Sequence, residues 1–437
     1  MAVTADASLH QRDLTLDLAR VSAVLLVVVA HLLLTGVGIG ADGAIVVERT
    51  AESQPWFAAA SWVGNIMPLF FVVGGFATKA GWQSMQRRDA AARAAGAAPA
   101  RGTEPSPASR FVRTRLARLA RPALPLFVFL TVALVAVWAA GIDPQLVDAA
   151  AIGVGSPLWF LAAYMLAQAL APTMLRLHRR APVVTLLALA GAASVIDAVR
   201  LLSGVELLGL PNVVLIWVAV QQLGFFLHDG WFRSRPAWML ALLVVAGYAL
   251  LLALVPAAGY SPNMLTNQFP PTMPMLVLGV VQAAMLTLLH QPLTALTRTR
   301  PVRALLGLAG SRLMTIYLWH VPVITIITGL QLLLPLPMPA PGSPAWWWSR
   351  ILVLALVLAI VWAASLWLVR FERVPASTSG AALPGTAVTA AAVLVFVLAP
   401  FLVMVLGLDT ALAALGTAGT AVALWLIRGR RAPAPLR

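Results

Sequence analysis

The stretch LDLARVSAVLLVVVAH (Leu16–His31) joins an Asp–Arg step to an apolar run that ends in a histidine. Between Arg20 and His31 every residue is Val, Ala or Leu except Ser22. A run of this kind is long enough to cross the hydrocarbon core of a bilayer as a helix. Similar runs recur along all 437 residues; 61% of the chain is hydrophobic and only 10% charged, far from the globular average of about 25% charged residues. The composition predicts an all-α, polytopic membrane helix bundle. The first run, with no small-residue cleavage site after it, reads as a retained span. With no cysteine, disulfides and thiolate-based metal sites are excluded.

About twelve transmembrane helices are expected, near residues 19–36, 56–78, 122–141, 157–175, 182–199, 211–228, 237–256, 272–290, 312–334, 347–369, 386–406 and 409–427. The net charge of +15 suggests nucleic acid until its arginines are placed. With the N-terminus inside, nearly all basic residues fall in cytoplasmic segments, including Arg12, Lys79, Arg101, Arg179, Arg233, Arg303, Arg373 and Arg428; only Arg49, Arg200 and Arg350 fall outside. Asp42, Glu48, Glu52, Asp143, Asp148 and Glu206 collect on the outer side. The positive-inside rule therefore predicts cytoplasmic termini and membrane lipid, not nucleic acid, as the partner of the charge. Residues 1–375 are expected to form the main transmembrane domain, and 376–437 two further helices with a basic tail.

Ionisable groups inside a membrane are costly and mark function, so they narrow the search. Arg20 and His31 are eleven residues apart, which at about 100° per residue returns to nearly the same face. Asp17, one turn before Arg20, can hold its guanidinium. His320, in SRLMTIYLWHVPV (Ser311–Val323), lies eight residues beyond Arg312 with Tyr317 beside it, so both histidines can line one cavity or each can join helices by hydrogen bonds. Asn65, Trp159 and Phe160 are candidate cavity-lining residues, the last two also reading as an interfacial aromatic belt. His10, His178, His228 and His290 are expected to be solvated. Gly74 and Gly75 are expected to let helices approach closely.

The segment RFVRTRLARLARPALP (Arg110–Pro125) places Arg110, Arg113, Arg115, Arg118 and Arg121 among Phe111, Val112, Leu116 and Leu119. It is expected to be an amphipathic interfacial helix that ends where Pro122 opens the third span. Lipid headgroups and the phosphates of a cytosolic ligand both fit such a run.

Taken in order, five motifs resemble the acyltransferase-3 family of integral membrane acyltransferases. They are Asp17-x-x-Arg20 with ten residues before His31, PLFFVVGGF (Pro68–Phe76), the arginine-rich segment, Trp159-Phe160-Leu161, and Tyr317-Leu318-x-His320. The resemblance covers about residues 10–373. Gly74-Gly75 stands where Ser-Gly is commoner, and the last two helices lie beyond the family's ten-helix core.

The resemblance implies transfer of an acyl group, usually acetyl, from cytosolic acyl-CoA. The acceptor would be a hydroxyl or amine of an extracytoplasmic or lipid-linked molecule, often a carbohydrate. His31 would be the general base or a transient acyl carrier, needing the neutral imidazole that a low dielectric favours. Arg20 and His320 would share the catalytic site, Asp17, Asn65, Trp159, Phe160 and Tyr317 would orient or line it, and Arg110–Arg121 would hold CoA phosphates. Acyl-CoA is then a substrate; no bound cofactor and no metal is expected, and the location is the plasma membrane. A transporter or flippase with His31 as proton relay is the competing class, though no internal repeat of the transporter kind is visible. A non-catalytic scaffold with histidines as helix glue is the third.

Overall fold

The computed structural model describes residues 13–39, 45–96, 105–310, 312–334, 336, 338–372, 381–428 and 430–431. Arg12, His10, Asp42, Arg101 and Arg373, used above, lie outside them. The helices are α1 (Leu14–Leu34), α2 (Phe57–Gly64), α3 (Met67–Ala94), α4 (Pro107–Ala139), α5 (Pro144–Gly155) and α6 (Trp159–Arg180). They continue as α7 (Pro182–Ser203), α8 (Asn212–His228), α9 (Ala237–Ala258), α10 (Met273–Leu288), α11 (His290–Thr297) and α12 (Arg300–Gly310). The last four are α13 (Leu313–Leu333), α14 (Pro344–Glu372), α15 (Thr386–Leu406) and α16 (Thr410–Leu426). A short antiparallel hairpin, β1 (Gly36–Ile39) and β2 (Ile45–Glu48), follows α1, and Ala381–Ala382 pairs with Arg430–Arg431.

Helix ends follow local chemistry. Ser106 accepts from the Ser109 amide ahead of α4 and Asp143 from the Gln145 amide ahead of α5, each with proline next in line. Gly204 ends α7 in the left-handed conformation at φ +68°, where a side chain would be strained.

Each expected apolar run coincides with a helix or helix pair. Among the described residues ten helices are long and apolar enough to cross a membrane. A further candidate, α10 with α11, is bent by 60°, and α16 is apolar but only 17 residues long. The chain is thus a multi-pass membrane protein with about ten spans, fewer than the twelve expected.

One expectation fails. The arginine-rich segment is not a separate interfacial helix: α4 runs unbroken from Pro107 to Ala139 with Pro122 and Pro125 inside it. A proline removes one backbone hydrogen bond, and helices in apolar surroundings tolerate it when neighbours compensate. Pro122 is buried among such neighbours.

The chain divides into two compact units. The first comprises residues up to Val27, Pro55–Lys79 and Leu175–Leu313. Its centre is α8, in which every residue from Ile216 to Leu227 is buried. Phe71 stacks on Trp217 at 4.5 Å between ring centroids. Gly75 and Gly224 let the α3 and α8 backbones touch, since a Cβ at Gly75 would stand 2.0 Å from the Gln221 carbonyl oxygen. The second unit comprises Val28–Gln54, Ala80–Met174 and the chain from Met314 onward. There α15 and α16 pack on each other and on α4. A Cβ at Gly416 would fall 2.2 Å from the Phe127 ring, and the Thr131 and Thr417 hydroxyls meet at 2.9 Å.

Candidate functional site

In the second unit the two histidines singled out by sequence meet. The rings of His31, in the last full turn of α1, and His320, in α13, lie 5.0 Å apart, edge to face at 74°. His320 is completely buried, while His31 is partly open. The Nδ1 atom of His320 is 2.6 Å from the Tyr317 carbonyl oxygen. A carbonyl only accepts, so Nδ1 carries the proton and Nε2 holds the lone pair. That Nε2 atom is buried with no hydrogen-bond partner.

Aromatic residues fix this pair in place. The Tyr317 hydroxyl donates to the Pro157 carbonyl at 2.7 Å, anchoring α13 to the turn before α6. The Tyr317 ring lies 5.0 Å from Phe160 and 5.9 Å from His320. Phe160 in turn stacks on Tyr164 at 5.1 Å and meets Trp159 edge-on at 6.2 Å. Trp319 packs on Phe129 of α4 at 5.1 Å. His31, His320, Tyr317, Phe160 and Trp159 therefore form one cluster. Tyr164 and Phe129 were missed, because neutral aromatics in apolar runs carry no distinguishing signal.

Other expected site residues lie elsewhere. Asp17 and Arg20 form the anticipated ion pair at 3.8 Å, with both side chains partly solvated. Asn65, in the first unit, ties the break between α2 and α3. Its amide donates to the Met264 carbonyl at 3.0 Å, its side-chain oxygen accepts from the Met67 amide at 3.3 Å, and its carbonyl accepts from Gln282 at 2.7 Å.

The five arginines of α4 have different surroundings. Arg110 grips Asp89 with both terminal nitrogens, at 3.2 and 2.5 Å. Arg113 donates to the Ile427 carbonyl at 3.4 Å, and its Nε is buried without a partner. Arg115 lies over the Phe111 ring at 4.8 Å, Arg118 is exposed, and Arg121 feels the charge of Arg428.

The solvated histidines need correction. His178 is only 3% exposed, and its Nε2 meets an Asp229 oxygen at 3.0 Å that also accepts from Lys79 at 2.5 Å. His228 is mostly buried, its ring 5.0 Å from Phe76; His290 is partly exposed, 3.8 Å from Asp13. Asp229, just beyond α8, pairs with both Lys79 and His178, and the His178 ring packs edge-on against Phe225 and Phe226. Burial works against charge on this carboxyl, but hydrogen bonds and charge from Lys79 and His178 outweigh it and hold it below its ordinary value. Asp197, the buried acid of α7, is likewise saturated by Asn212, Tyr260 and the Met273 amide, each at 2.8 Å.

A multi-pass helical membrane protein with two facing histidines, one of them tautomerically fixed, has acid–base chemistry available inside its bundle. The model of the acyltransferase-3 family, described as an acyltransferase domain, matches residues 13–366, and the chain belongs to that family. It is a membrane acyltransferase. No curated protein and no solved structure matches it.

Proposed function

We propose that the protein moves an acyl group, acetyl in the first instance, from cytosolic acyl-CoA to a hydroxyl or amine of an extracytoplasmic or lipid-linked acceptor, of carbohydrate type. The observation that carries this reading is the meeting of His31 and His320 at 5.0 Å. His31 is partly open, so it is the ring that meets substrate. As the acceptor oxygen attacks the thioester carbonyl, His31 takes its proton; the tetrahedral intermediate then expels CoA thiolate, which receives the proton back. His320, with its lone pair on Nε2, shares that proton and keeps His31 in its working orientation. An acyl-histidine on His31 is the two-step variant of the same chemistry.

The donor end belongs to α4. Arg121 and Phe129 are eight residues apart on that helix, a rise of about 12 Å, and Phe129 touches Trp319, the neighbour of His320. Phosphates at the arginines thus leave the pantetheine arm a course along α4 toward the histidines. Arg110, held by Asp89, contributes charge and not a free fork. In this reading the termini are cytoplasmic, the membrane is the plasma membrane, and α10–α11 and α16 complete twelve crossings.

The test uses the full chain in membrane vesicles with labelled acetyl-CoA and cell-envelope acceptor. His31→Ala should abolish transfer while Asn65→Ala, a structural change, should affect stability first. Undiminished transfer by His31→Ala would remove the histidine pair from the mechanism.

A further inference from the structure

His320 stands on a helix whose start is secured from a distance. The first four amides of a helix have no partner within it. Arg312, immediately before α13, has a side chain that only donates, so it cannot cap them. The acceptor comes instead from the last residue of α14. One carboxylate oxygen of Glu372, Oε1, accepts from the Thr315 amide at 2.8 Å and from the Thr315 hydroxyl as well. Thr315 is only 2% exposed, so without the carboxylate both donors would lie unpaired away from water. A negative charge also suits the partial positive charge of a helix start.

Thr315 and His320 are five residues apart, a rise of about 7.5 Å. On the far side of His320, Pro322 interrupts the ladder of α13, because with no N–H it cannot bond the Leu318 carbonyl. The turn that carries the histidine is thus loosely tied to the helix after it, and takes its place from the contacts before it. Hydrogen bonds to other elements hold it there: Glu372 at Thr315, and the Pro157 carbonyl at Tyr317. Glu372 has a firm base, since Arg370 lies 3.5 Å over the Trp367 ring and 5.0 Å over that of Phe371, stiffening the last turn of α14. A cap from the adjoining residue would move with its own helix. A cap from α14 fixes α13 against a second one.

We propose that Glu372 is a positioning residue for the histidine pair: its carboxylate seats the first turn of α13 on α14 and so holds His320 in place beside His31. This rests on the reading above that the pair performs the transfer. The family match ends at residue 366, so Glu372 lies past it, and the end of α14 serves the catalytic site from outside the matched domain. A displacement of about 1 Å at a reacting group can cost about 100-fold in rate, so seating of this kind reaches the chemistry.

Steady-state transfer from labelled acetyl-CoA is measured on the full-length protein in membrane vesicles, at matched amounts of folded protein. Glu372→Ala should lower kcat roughly tenfold to a hundredfold and leave KM for acetyl-CoA unchanged. Glu372→Gln keeps an accepting oxygen and should recover most of the loss. Tyr260→Phe, a change at the Asp197 knot, controls for lost stability and should keep kcat. The decisive pair is His320→Ala with and without Glu372→Ala. A residue that acts through His320 has nothing further to lose once that ring is gone, so the two should turn over equally. A Glu372→Ala enzyme with the kcat of the wild type, or a loss that recurs in full on His320→Ala, overturns the inference. Where Glu372→Ala yields no folded protein, Thr315→Val takes its place, with a smaller loss expected and the same overturning results. His31→Ala is run alongside. Transfer by that variant at the wild-type rate overturns the histidine reading and this inference with it, whereas its loss beside an unaffected Glu372→Ala overturns this inference alone.

Discussion

His178 and His320 are both buried histidines, 3% and 0% exposed, yet their surroundings differ in kind. His178 faces a carboxylate that also holds the chain's only lysine, so its position is bound into a polar lock joining the middle of α3, the end of α6 and the residue after α8. His320 faces a backbone carbonyl on one nitrogen, nothing on the other, and a second imidazole across 5.0 Å. A histidine with a fixed counter-charge is built to stay as it is. One with a free lone pair beside another ring has the means to exchange a proton, which is the role proposed for it. The first unit repeats the locking pattern at Asp197, where three donors saturate one carboxylate.

The comparison breaks most visibly through activity. Replacing His31 by Ala should lower transfer by about 10²–10⁴-fold, the range expected for loss of a general base, with little change in melting temperature. His178→Ala should do the reverse, destabilising the first unit while folded protein keeps its turnover. Both are read from steady-state rates and thermal melts of the same preparations. Equal losses of activity from the two would abolish the distinction.

Next in size is the crossing of α3 and α8. Gly75→Ala places a methyl group where backbone atoms already stand, at 2.0 Å, and overpacking of this sort costs about 1–3 kcal/mol or more. It should reduce the yield of folded protein and lower its melting temperature. Tyr317→Phe should have a smaller effect, leaving the Pro157 carbonyl unpaired at a cost of about 1–3 kcal/mol. Because Tyr317 borders His320, turnover should also fall, whereas Tyr260→Phe, at the Asp197 knot, should change stability without turnover.

The smallest effect is the pH response of the lock. Asp229 is held below its ordinary value, so its contribution is fully present above the usual carboxylate range near pH 4 and is lost as pH falls through its lower folded value. Melting temperature should therefore decline below that range in the wild type and less steeply in Asp229→Asn. Parallel curves would show that the carboxylate does not set the lock.

How much of this was readable beforehand depends on whether a contact is local in sequence. The apolar runs placed the helices, and helical phase put Asp17 beside Arg20. The glycine pair announced a close crossing, and at Gly75 the backbones indeed touch. Pro122 misled because a proline was read as a helix start where apolar packing carries the helix through. His178 misled because its partner lies 51 residues away, beyond the end of another helix. The meeting of His31 with His320 was an open possibility from depth alone; only tertiary packing brings the rings together. Arg428 seemed one more basic tail residue; the antiparallel course of α16 along α4 brings its neighbour Ile427 to Arg113.

The central claim is that His31 and His320 act as one device, and kinetic coupling tests it most directly. Acyl transfer is measured for the wild type, His31→Ala, His320→Ala and the double variant, each at matched amounts of folded protein. Residues that work as a unit are not additive, so the double variant should be about as slow as the slower single variant. Losses that multiply, or a His320→Ala enzyme as fast as the wild type, would contradict the account.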